Sequence, residues 1–388
     1  MDAMTNPYSP GAGARPPALV GRDNELAAWE VALARVARDK SARSLVLYGL
    51  RGVGKTVLLS EMATKAEREG WIVGRIESGA GASLRGALSS ALQPHVARLA
   101  RRGKGKKMLK ALKTALSFSA RVDIDGSTTF GLNLVDVEAE LADSGDMELD
   151  LATLADGLAD AARDAGTGLA LLIDEAQDLT REELTAICSV AHRASQRSTP
   201  VLFVLAGLPS LPSKLAAAKS YSERLFRFHH VRELDEEAAR AALILPAREE
   251  GVEWDAPALA RVVDVTGRYP YFLQEHGSES WLEAAASPIA EADTIAGGVS
   301  AQEHLDAGFY RIRWDRATKS EQDYLRAMAA DADEGSRTAD VAARLGRTSK
   351  QLSPARQKLT DKGLVYAPEH GTIAFTVPGM AAFISRQH

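Results

Sequence analysis

Short apolar runs alternate with amphipathic stretches through the first 231 residues of the chain. Four runs have the length and composition of buried strands, and a more polar fifth strand follows them: residues 44–48, 71–76, 169–173, 201–205 and 227–231. Helical patterns occur at residues 23–37, 55–69, 82–116, 150–165 and 182–196. Strands that alternate with helices predict a doubly wound α/β fold, with helices on both faces of a parallel sheet.

The pattern changes near residue 234, where strand-like runs stop. Helical patterns follow at residues 235–250, 255–266 and 270–286. Farther along, three more helical patterns precede an extended segment: residues 320–329, 338–345, 349–362 and 364–376. We therefore predict an extended arm at 1–16, an α/β domain at 17–233, a helical unit at 234–310 and a C-terminal unit at 311–388.

A β-hairpin is predicted as an insertion in the α/β domain, at about residues 117–135. Asp125-Gly126 suits a type I′ turn, and the apolar positions on either side of it alternate as they do on one face of a hairpin.

The composition of the chain is that of a globular protein and excludes several other classes. The chain has 388 residues, 45% of them apolar, and a net charge of −5, which is ordinary for a globular protein of several domains. Cys188 is the single cysteine, so a disulfide framework within the chain and a multi-cysteine zinc site are excluded. The N-terminus has no secretory signal pattern, and no apolar run approaches the ~20 residues of a membrane span, so we expect a cytoplasmic protein without a membrane partner.

The segment from Gly49 to Thr56 matches the pattern GxxxxGK[ST] in full, with a predicted strand before it and a predicted helix after it. Glycines at these positions allow successive backbone N–H groups to surround a phosphate at the positive end of a helix. Lys55 would then contact the β- and γ-phosphates, and the Thr56 hydroxyl would bind Mg²⁺. The alternative is a Gly-rich turn with an incidental lysine. We favour a nucleoside triphosphate site, with ATP and Mg²⁺ as ligands.

Two carboxylates, Asp174 and Glu175, end the predicted strand at 169–173. The C-terminal ends of parallel strands meet at one edge of a sheet, so this pair is expected beside the phosphate loop. Asp174 would hold Mg²⁺, and Glu175 would orient or deprotonate the attacking water. An acidic pair at a strand end is weak evidence alone and becomes stronger in this context.

Four segments together resemble those of AAA+ ATPases: VGRDNEL at 20–26, the phosphate loop, DEAQ at 174–177 and AGLP at 206–209. The nearest branch is the origin-recognition-complex-like group, whose relatives shade into the STAND ATPases. The resemblance implies a P-loop parallel sheet, a helical lid and a C-terminal winged helix, and an ATPase that forms homo-oligomers. The positions implied to contact nucleotide are Val20, Gly21, Arg22, Gly49, Leu50, Arg51, Gly52, Val53, Gly54, Lys55, Thr56, Val57, Tyr269 and Pro270.

The resemblance also implies positions at which this chain departs from the family. The end of the fourth strand normally carries a polar residue that senses the γ-phosphate, and AGLP offers neither Asn nor Thr there. Slow hydrolysis is therefore expected. Where replication initiators tend to place a lid arginine, the chain has a Gly-x-x-Pro pattern at 267–270, which favours a nucleotide-gated switch. A helix start with proline near its first position explains those residues equally well.

Arg224 and Arg227 precede or begin the fifth strand, at the position of an arginine finger that acts on a neighbouring subunit. Arg224 is the preferred candidate. The alternative is a surface ion pair with Glu223 or Glu233.

The C-terminal unit resembles a winged helix, with the wing at 364–376 and Glu369-His370-Gly371 at its tip. Residues 336–363 hold seven basic residues and two Asp, an excess suited to DNA phosphates: Arg337, Arg344, Arg347, Lys350, Arg356, Lys358 and Lys362. Pro354 interrupts the third helix and would allow it to start at Ser353 as N-cap. Winged helices also bind proteins, so DNA and a protein partner both remain candidates.

A second basic segment, residues 101–113, carries seven Lys or Arg and no acid. Its apolar positions Met108, Leu109, Leu112 and Leu116 define an amphipathic face with solvated lysines opposite. The lysines could equally touch DNA in the channel of a ring, or pair with the acidic segment 136–160. Two hypotheses result: an ATP-dependent DNA-binding protein, and a signalling switch that binds a protein partner. His192, His229, His230 and His370 lack the spacing of metal ligands.

Overall fold

The computed structural model describes residues 1–11, 13–79, 83–102, 106–120 and 142–387. Of the hairpin insertion predicted at about 117–135, residues 117–120 belong to the helix Lys106–Ala120, and the rest, with both predicted strands, lies outside the described residues. Within the described ranges, no helix combines the length and the apolar character that crossing a membrane requires.

A five-stranded parallel sheet forms the centre of the α/β domain. Its strands are β1 (Ser44–Tyr48), β2 (Ile72–Glu77), β3 (Leu169–Asp174), β4 (Val201–Gly207) and β5 (Phe226–His230). The order across the sheet is β2-β3-β4-β1-β5. From β1 the chain therefore crosses to the edge strand β2, returns through β3 and β4 to the side of β1, and adds β5 at the other edge. Strands β1, β3 and β4 are almost entirely buried, which explains why their sequences are continuous apolar runs. The predicted α/β P-loop fold is confirmed.

Helices cover both faces of this sheet. They are α1 (Asp23–Val36), α2 (Lys55–Arg68), α3 (Leu84–Arg102), α4 (Lys106–Ala120), α5 (Met147–Arg163), α6 (Arg181–Arg197), α7 (Leu211–Ala218) and α8 (Ser222–Leu225). The helical pattern predicted at 82–116 is therefore two helices, and Leu112 and Leu116 of α4 pack toward the core as the amphipathic pattern predicts. Helix α6 begins at a capping box in which Thr180 and Glu183 each bond the other's backbone N–H.

Four helices form the unit that follows the sheet: α9 (Glu236–Glu249), α10 (Ala256–Val265), α11 (Pro270–Glu283) and α12 (Glu291–His304). A π-helical turn, Leu305–Tyr310, continues directly from α12. The N-terminal arm is packed against this unit. Tyr8 is only 4% exposed, donates a hydrogen bond to the Leu243 carbonyl at 2.6 Å and accepts one from Trp254 Nε1 at 2.9 Å. Tyr8 of the arm is therefore part of the helical unit's core.

The C-terminal unit contains five helices and a small antiparallel sheet. The helices are α13 (Arg311–Asp315), α14 (Lys319–Ala329), α15 (Thr338–Arg344), α16 (Ser349–Asp361) and α17 (Met380–Ser385). The strands are β6 (Ser336–Arg337), β7 (Val365–Tyr366) and β8 (Thr372–Phe375), in the order β6-β8-β7. Its apolar core is continuous with that between the sheet and α1–α2, so the unit is packed on the α/β domain.

The third helix of this unit begins where the helical pattern at 349–362 predicts, and the later start at Ser353 that Pro354 would allow does not occur. Helix α16 begins at Ser349, because Thr348 and Gln351 form a capping box at its N-terminus. Pro354 lies inside the helix, where it removes one backbone donor without ending the helix. The capping box thus outweighs the proline as the start signal.

Candidate functional site

The phosphate-loop motif connects β1 to α2 at the C-terminal edge of the sheet. Gly54 has φ 89° and is the N-cap of α2, so the backbone turns into the helix in a conformation that favours glycine. Gly49 passes close to the next strand's exit: a Cβ built there would lie 2.0 Å from the Val231 carbonyl oxygen. The backbone conformation requires glycine at position 54, and the close approach of Val231 requires it at position 49. The loop ends at the N-terminus of α2, which is the positive end of the helix dipole.

Lys55 extends into the centre of this loop. Its Nζ donates hydrogen bonds to the carbonyl oxygens of Gly49 at 2.9 Å and Leu50 at 2.7 Å, and the residue is 8% exposed. Burial lowers the pKa of Lys55 to about 8, although the charges of Glu175 and Asp174 oppose that shift. The ammonium group is thus poorly solvated, which makes an anion a favourable partner.

The acidic pair lies next to the loop, at the end of β3. Asp174 is buried and accepts a hydrogen bond from the Glu175 N–H at 2.9 Å. Glu175 adopts φ 48° and ψ 35°, an uncommon left-handed conformation for a residue other than glycine. Its Oε1 is bonded by Arg51 Nη1 at 2.9 Å and its Oε2 by Gln177 Nε2 at 2.5 Å. Both oxygens of the candidate catalytic carboxylate are therefore held.

Gln177 is a site residue to which the sequence analysis assigned no role. Its Oε1 accepts the Leu208 N–H at 2.9 Å while its Nε2 binds Glu175, so it links the end of β4 to the acidic pair. A Cβ built on Gly207 would lie 2.7 Å from Gln177 Oε1. The glycine in AGLP, where a polar residue was expected, therefore leaves room for an amide supplied by DEAQ. The only signal in the sequence was the presence of both motifs.

A cavity of about 390 Å³ lies over the loop. Most of the predicted nucleotide contacts line it: Val20, Arg22, Arg51, Gly52, Val53, Gly54, Lys55, Thr56, Val57 and Pro270, together with Glu175. Arg22 is buried and donates to the carbonyls of Val53 at 2.9 Å and Arg232 at 2.7 Å. Its guanidinium thus ties the VGR segment to the phosphate loop. Gly21 packs against Leu234 and against Ala238 of α9, in the helical unit.

Three parts of the chain far from the loop complete the cavity wall. The N-terminal arm contributes Ser9, Gly11, Gly13, Ala14 and Pro16; helix α11 contributes Tyr271 and Gln274; and the region after α12 contributes Gly308, Phe309 and Arg313. Tyr269 lies behind the loop, where its hydroxyl donates to the Arg51 carbonyl. Of the cavity lining in these three parts, only Pro270, at the start of α11, was predicted from sequence to contact nucleotide; the contributions of the arm and of the region after α12 were not predicted.

The donors near Lys55 suit a magnesium ion. The Thr56 hydroxyl and the Asp174 carboxylate are hard oxygen ligands on the same edge of the sheet, of the type that Mg²⁺ prefers. Both residues were predicted as metal ligands, and the chemistry of the pair fits that ion.

Arg224 and Arg227 lie at the opposite edge of the sheet. Phe226, between them, pairs with Ser44 at the start of β1, so both arginines are separated from the loop by the length of that strand, roughly 16 Å. They line a second cavity of about 320 Å³. Within the described residues, neither forms an ion pair with Glu223 or Glu233. Arg224 therefore does not act on the phosphates of its own chain in this arrangement.

The basic residues predicted to contact DNA divide into two groups. Arg344 is ion-paired with Asp331, and Lys362 pairs with Glu321 at 2.6 Å. Four others are exposed and have no ion pair among the residues described here: Arg337, Arg347, Lys350 and Lys358. Arg356 is half-buried. Of the segment 101–113, side chains are described only from residue 110 onward.

The C-terminal unit touches the phosphate loop directly. The Arg51 N–H donates to the carbonyl oxygen of Thr376, just after β8, at 3.0 Å. A Cβ built on Gly363, at the end of α16, would lie 2.9 Å from Arg51 Nη2. Arg51 thus contacts the C-terminal unit with its backbone and lies against it with its side chain, while the same side chain holds Glu175.

Two parts of the chain match known families. Residues 18–204 match the AAA ATPase domain, and residues 307–384 match a domain of unknown function, DUF8462. No curated protein matches the sequence. The matched ATPase domain includes the phosphate loop, both carboxylates and Gln177.

Matches to solved structures span nearly the whole chain. The Walker-type ATPase PABY2304 of Pyrococcus abyssi has a TM-score of 0.60 and 16% identity, covering 95% of this chain and 96% of its own. The Thermotoga maritima RuvB Holliday junction branch migration motor has a TM-score of 0.44 and 14% identity, with coverages of 94% and 96%. Aeropyrum pernix ORC1 in complex with DNA has a TM-score of 0.46 and 15% identity, with coverages of 96% and 94%. The first of these shows a shared fold.

Proposed function

We propose, from the AAA ATPase domain at residues 18–204, that this chain is a Mg²⁺-dependent ATPase of the origin-recognition/STAND-like group. It would act as a slow switch that couples nucleotide state to self-association and to DNA binding. The observation that carries the proposal is the convergence of Lys55, Thr56 and Glu175 on one cavity of about 390 Å³, with Asp174 beside them. That set contains a group for each requirement of phosphoryl transfer to water.

The residues would share the chemistry as follows. Lys55 leaves the carbonyls of Gly49 and Leu50 to bind the β- and γ-phosphates, and the loop N–H groups bind the same oxygens. Thr56 and Asp174 hold Mg²⁺, which would neutralise charge on the phosphate oxygens. Glu175 orients the attacking water and accepts its proton. Gln177 keeps the carboxylate in place through its second oxygen.

Slow hydrolysis is supported by the state of Glu175. Its carboxylate is paired with Arg51, which occupies one of the two oxygens that would contact the attacking water. To accept a proton from water, Glu175 has to release Arg51 or share it with the γ-phosphate. We infer that this exchange limits turnover, since Arg51 is also bonded through its backbone to Thr376.

The same contact supports coupling to the C-terminal unit, which we interpret as a winged helix. When nucleotide draws the Arg51 side chain away from Glu175, the position of that side chain against Gly363 changes with it, next to the backbone hydrogen bond from Arg51 to Thr376. The exposed residues Arg337, Arg347, Lys350 and Lys358 would then bind DNA phosphates in a nucleotide-dependent way. Association with further copies of the chain would bring Arg224 to a neighbour's nucleotide.

A second candidate is a STAND-like signalling switch in which the winged helix binds a protein. The ion pairs of Arg344 with Asp331 and Lys362 with Glu321 favour it, because they engage two of the seven basic side chains within the unit. The basic segment at 101–113 would serve the same protein partner.

The hydrolytic role of Glu175 is tested by Glu175→Gln. The amide cannot accept a proton, so we expect ATP hydrolysis to fall by about 10²–10³, within the range of general-base catalysis, while ATP binding persists. Phosphate release and binding of a fluorescent ATP analogue measure the two effects. Glu182→Gln, an exposed carboxylate in the first turn of α6, is the matched control. Normal turnover by Glu175→Gln would remove Glu175 from the mechanism.

The DNA hypothesis and the protein-partner hypothesis are separated by a salt titration of DNA binding, with and without ATP. Contacts from several phosphates predict that log affinity falls steeply with log salt. Lys350→Ala and Lys358→Ala should each reduce the slope by about one, whereas Lys219→Ala, on the α/β domain, should not. An absence of measurable DNA binding at low salt would favour the signalling switch.

A further inference from the structure

One cation of the nucleotide cavity comes from outside the AAA ATPase domain. Arg313, in α13, lines the cavity together with Arg51, Lys55 and Glu175. It belongs to the segment 307–384 that matches the domain of unknown function. The resemblance to AAA+ ATPases assigned no role to Arg313, and the family matched at 18–204 ends long before it.

Local structure directs this arginine. The π-helical turn Leu305–Tyr310 shifts the helix register just before α13, and Gly308 and Phe309 of that turn also line the cavity. Such turns are rare and occur frequently at functional sites. The Arg313 guanidinium lies 4.1 Å from the centroid of the Phe309 ring and donates to the Phe309 carbonyl. One side of the guanidinium is therefore fixed by its own helix.

The charge of Arg313 is not balanced within the protein. Burial, together with the nearby positive charge of Arg51, lowers the pKa of Arg313 to about 10. The groups that oppose this shift are the hydroxyls of Tyr271 and Tyr269, which are uncharged at neutral pH. No carboxylate forms an ion pair with Arg313 anywhere in the described part of the chain. Glu175 is paired with Arg51 and not with Arg313, so the cavity lining, which also includes Lys55, has an excess of positive charge.

We propose that Arg313 binds the γ-phosphate of bound ATP, so that the C-terminal unit completes the phosphate site. Proximity to Arg51 puts it at the hydrolytic end of the cavity, because Arg51 holds Glu175. The lining also includes Ala18, Leu19 and Val20, whose apolar side chains suit a base. A guanidinium can bind two phosphate oxygens at once. The C-terminal unit then distinguishes ATP from ADP through its own side chain. This inference rests on the proposed nucleotide-binding function.

The alternative role for Arg313 is purely structural, as a side chain that stacks on Phe309. The two roles predict different binding results. Loss of a stacking residue weakens the binding of ATP and ADP alike. Loss of a γ-phosphate contact weakens the binding of ATP only, because ADP lacks that phosphate. The ratio of the two affinities is therefore the informative quantity.

The experiment compares Arg313→Met, Arg313→Lys and Arg316→Met in the full chain. The methionine keeps an unbranched stem against Phe309, and Arg316 is an exposed arginine of the same segment outside the cavity. Equilibrium binding of AMP-PNP and of ADP, each with Mg²⁺, is measured for every variant. A hydrogen bond to a charged group predicts that Arg313→Met weakens AMP-PNP binding by about 10- to 100-fold and ADP binding by less than about twofold. Arg316→Met should bind both as the wild type does.

Each outcome distinguishes the inference from the function on which it rests. An equal loss for both nucleotides, or no loss, would overturn the role of Arg313. If Arg313→Met does not fold by circular dichroism, Arg313→Lys decides: we expect it to fold and to prefer AMP-PNP over ADP by less than the wild type. Wild-type preference in Arg313→Lys then counts against the inference. A failure of the nucleotide-binding proposal is separate, since the wild type itself would then not bind AMP-PNP.

Discussion

The protein has two cation-lined cavities at opposite edges of one parallel sheet. The first, of about 390 Å³, contains Arg51, Lys55 and Arg313 with Glu175 among them. The second, of about 320 Å³, is lined by Arg35, Lys40, Arg43, Arg224 and Arg227, and the described residues that line it include no carboxylate.

The two cavities differ in how their cations are solvated. Lys55 is buried, and its pKa is lowered to about 8; in contrast, the five basic residues of the second cavity are exposed. A buried cation beside a carboxylate is held ready for a ligand inside the protein, while exposed cations keep their hydration until something displaces it. The first cavity is thus suited to bind phosphate without help from a second molecule. The second cavity is suited to bind an anionic group that belongs to another molecule.

The strongest test of this difference is Lys55→Ala. The phosphates lose a buried charged contact of the kind that costs about 2–5 kcal/mol, so nucleotide affinity should fall by about 30- to several thousand-fold. Isothermal titration calorimetry with ATP and Mg²⁺ measures the loss. Lys65→Ala, on the same helix but paired with Glu30 at the surface, is the control and should bind as the wild type does. Wild-type affinity in Lys55→Ala would show that the first cavity is not the phosphate site.

The second cavity is tested through Arg224→Ala. If Arg224 acts on the nucleotide of a neighbouring copy, this variant should bind ATP normally and hydrolyse it more slowly. An arginine finger contributes about 10³–10⁵ in well-studied GTPases. We expect a smaller loss here, about 10- to 100-fold, because Arg51 already occupies Glu175 and makes the wild type slow. Arg38→Ala, exposed and outside the cavity, is the control.

Mixing sharpens the same test. Arg224→Ala keeps an intact phosphate loop, and Lys55→Ala keeps an intact arginine, so a mixture should hydrolyse ATP faster than either variant does alone. Analytical ultracentrifugation establishes whether the two variants assemble together. If they do and the mixture is no faster than either variant, Arg224 does not act between subunits.

The smallest expected effect is the pH dependence of nucleotide binding. Bound phosphates require Lys55 to be charged, and its pKa in the free protein is lowered to about 8 by burial. Below pH 8 the ammonium form predominates and affinity should be constant. Above pH 8, binding requires uptake of a proton, so affinity should fall by up to about tenfold per pH unit. Lys55→Arg stays charged across this range and should lose less affinity; an identical pH profile for both proteins would contradict the assignment.

Sequence patterns were sufficient wherever one short segment determines the structure. The strand at Ser44–Tyr48 and the helix at Lys55–Arg68 agree closely with their predicted bounds, because continuous apolar residues suit a buried parallel strand and the glycines between them allow one kind of turn. The position of Asp174 and Glu175 beside the loop followed from parallel topology. The helix at 349–362 also agrees with its predicted bounds, and Pro354 does not move its start to Ser353, because Thr348 and Gln351 form a capping box at its N-terminus.

The sequence by itself therefore determined the sheet, the phosphate loop and the acidic pair. Only the tertiary structure decided what holds that pair and what closes the cavity. Arg51 and Glu175 are 124 residues apart, and Tyr8 and Leu243 are 235 apart. Contacts over such separations leave no local periodicity in the chain, because they depend on how whole units pack. For the same reason the role of Arg313 emerged only when the C-terminal unit was seen against the loop.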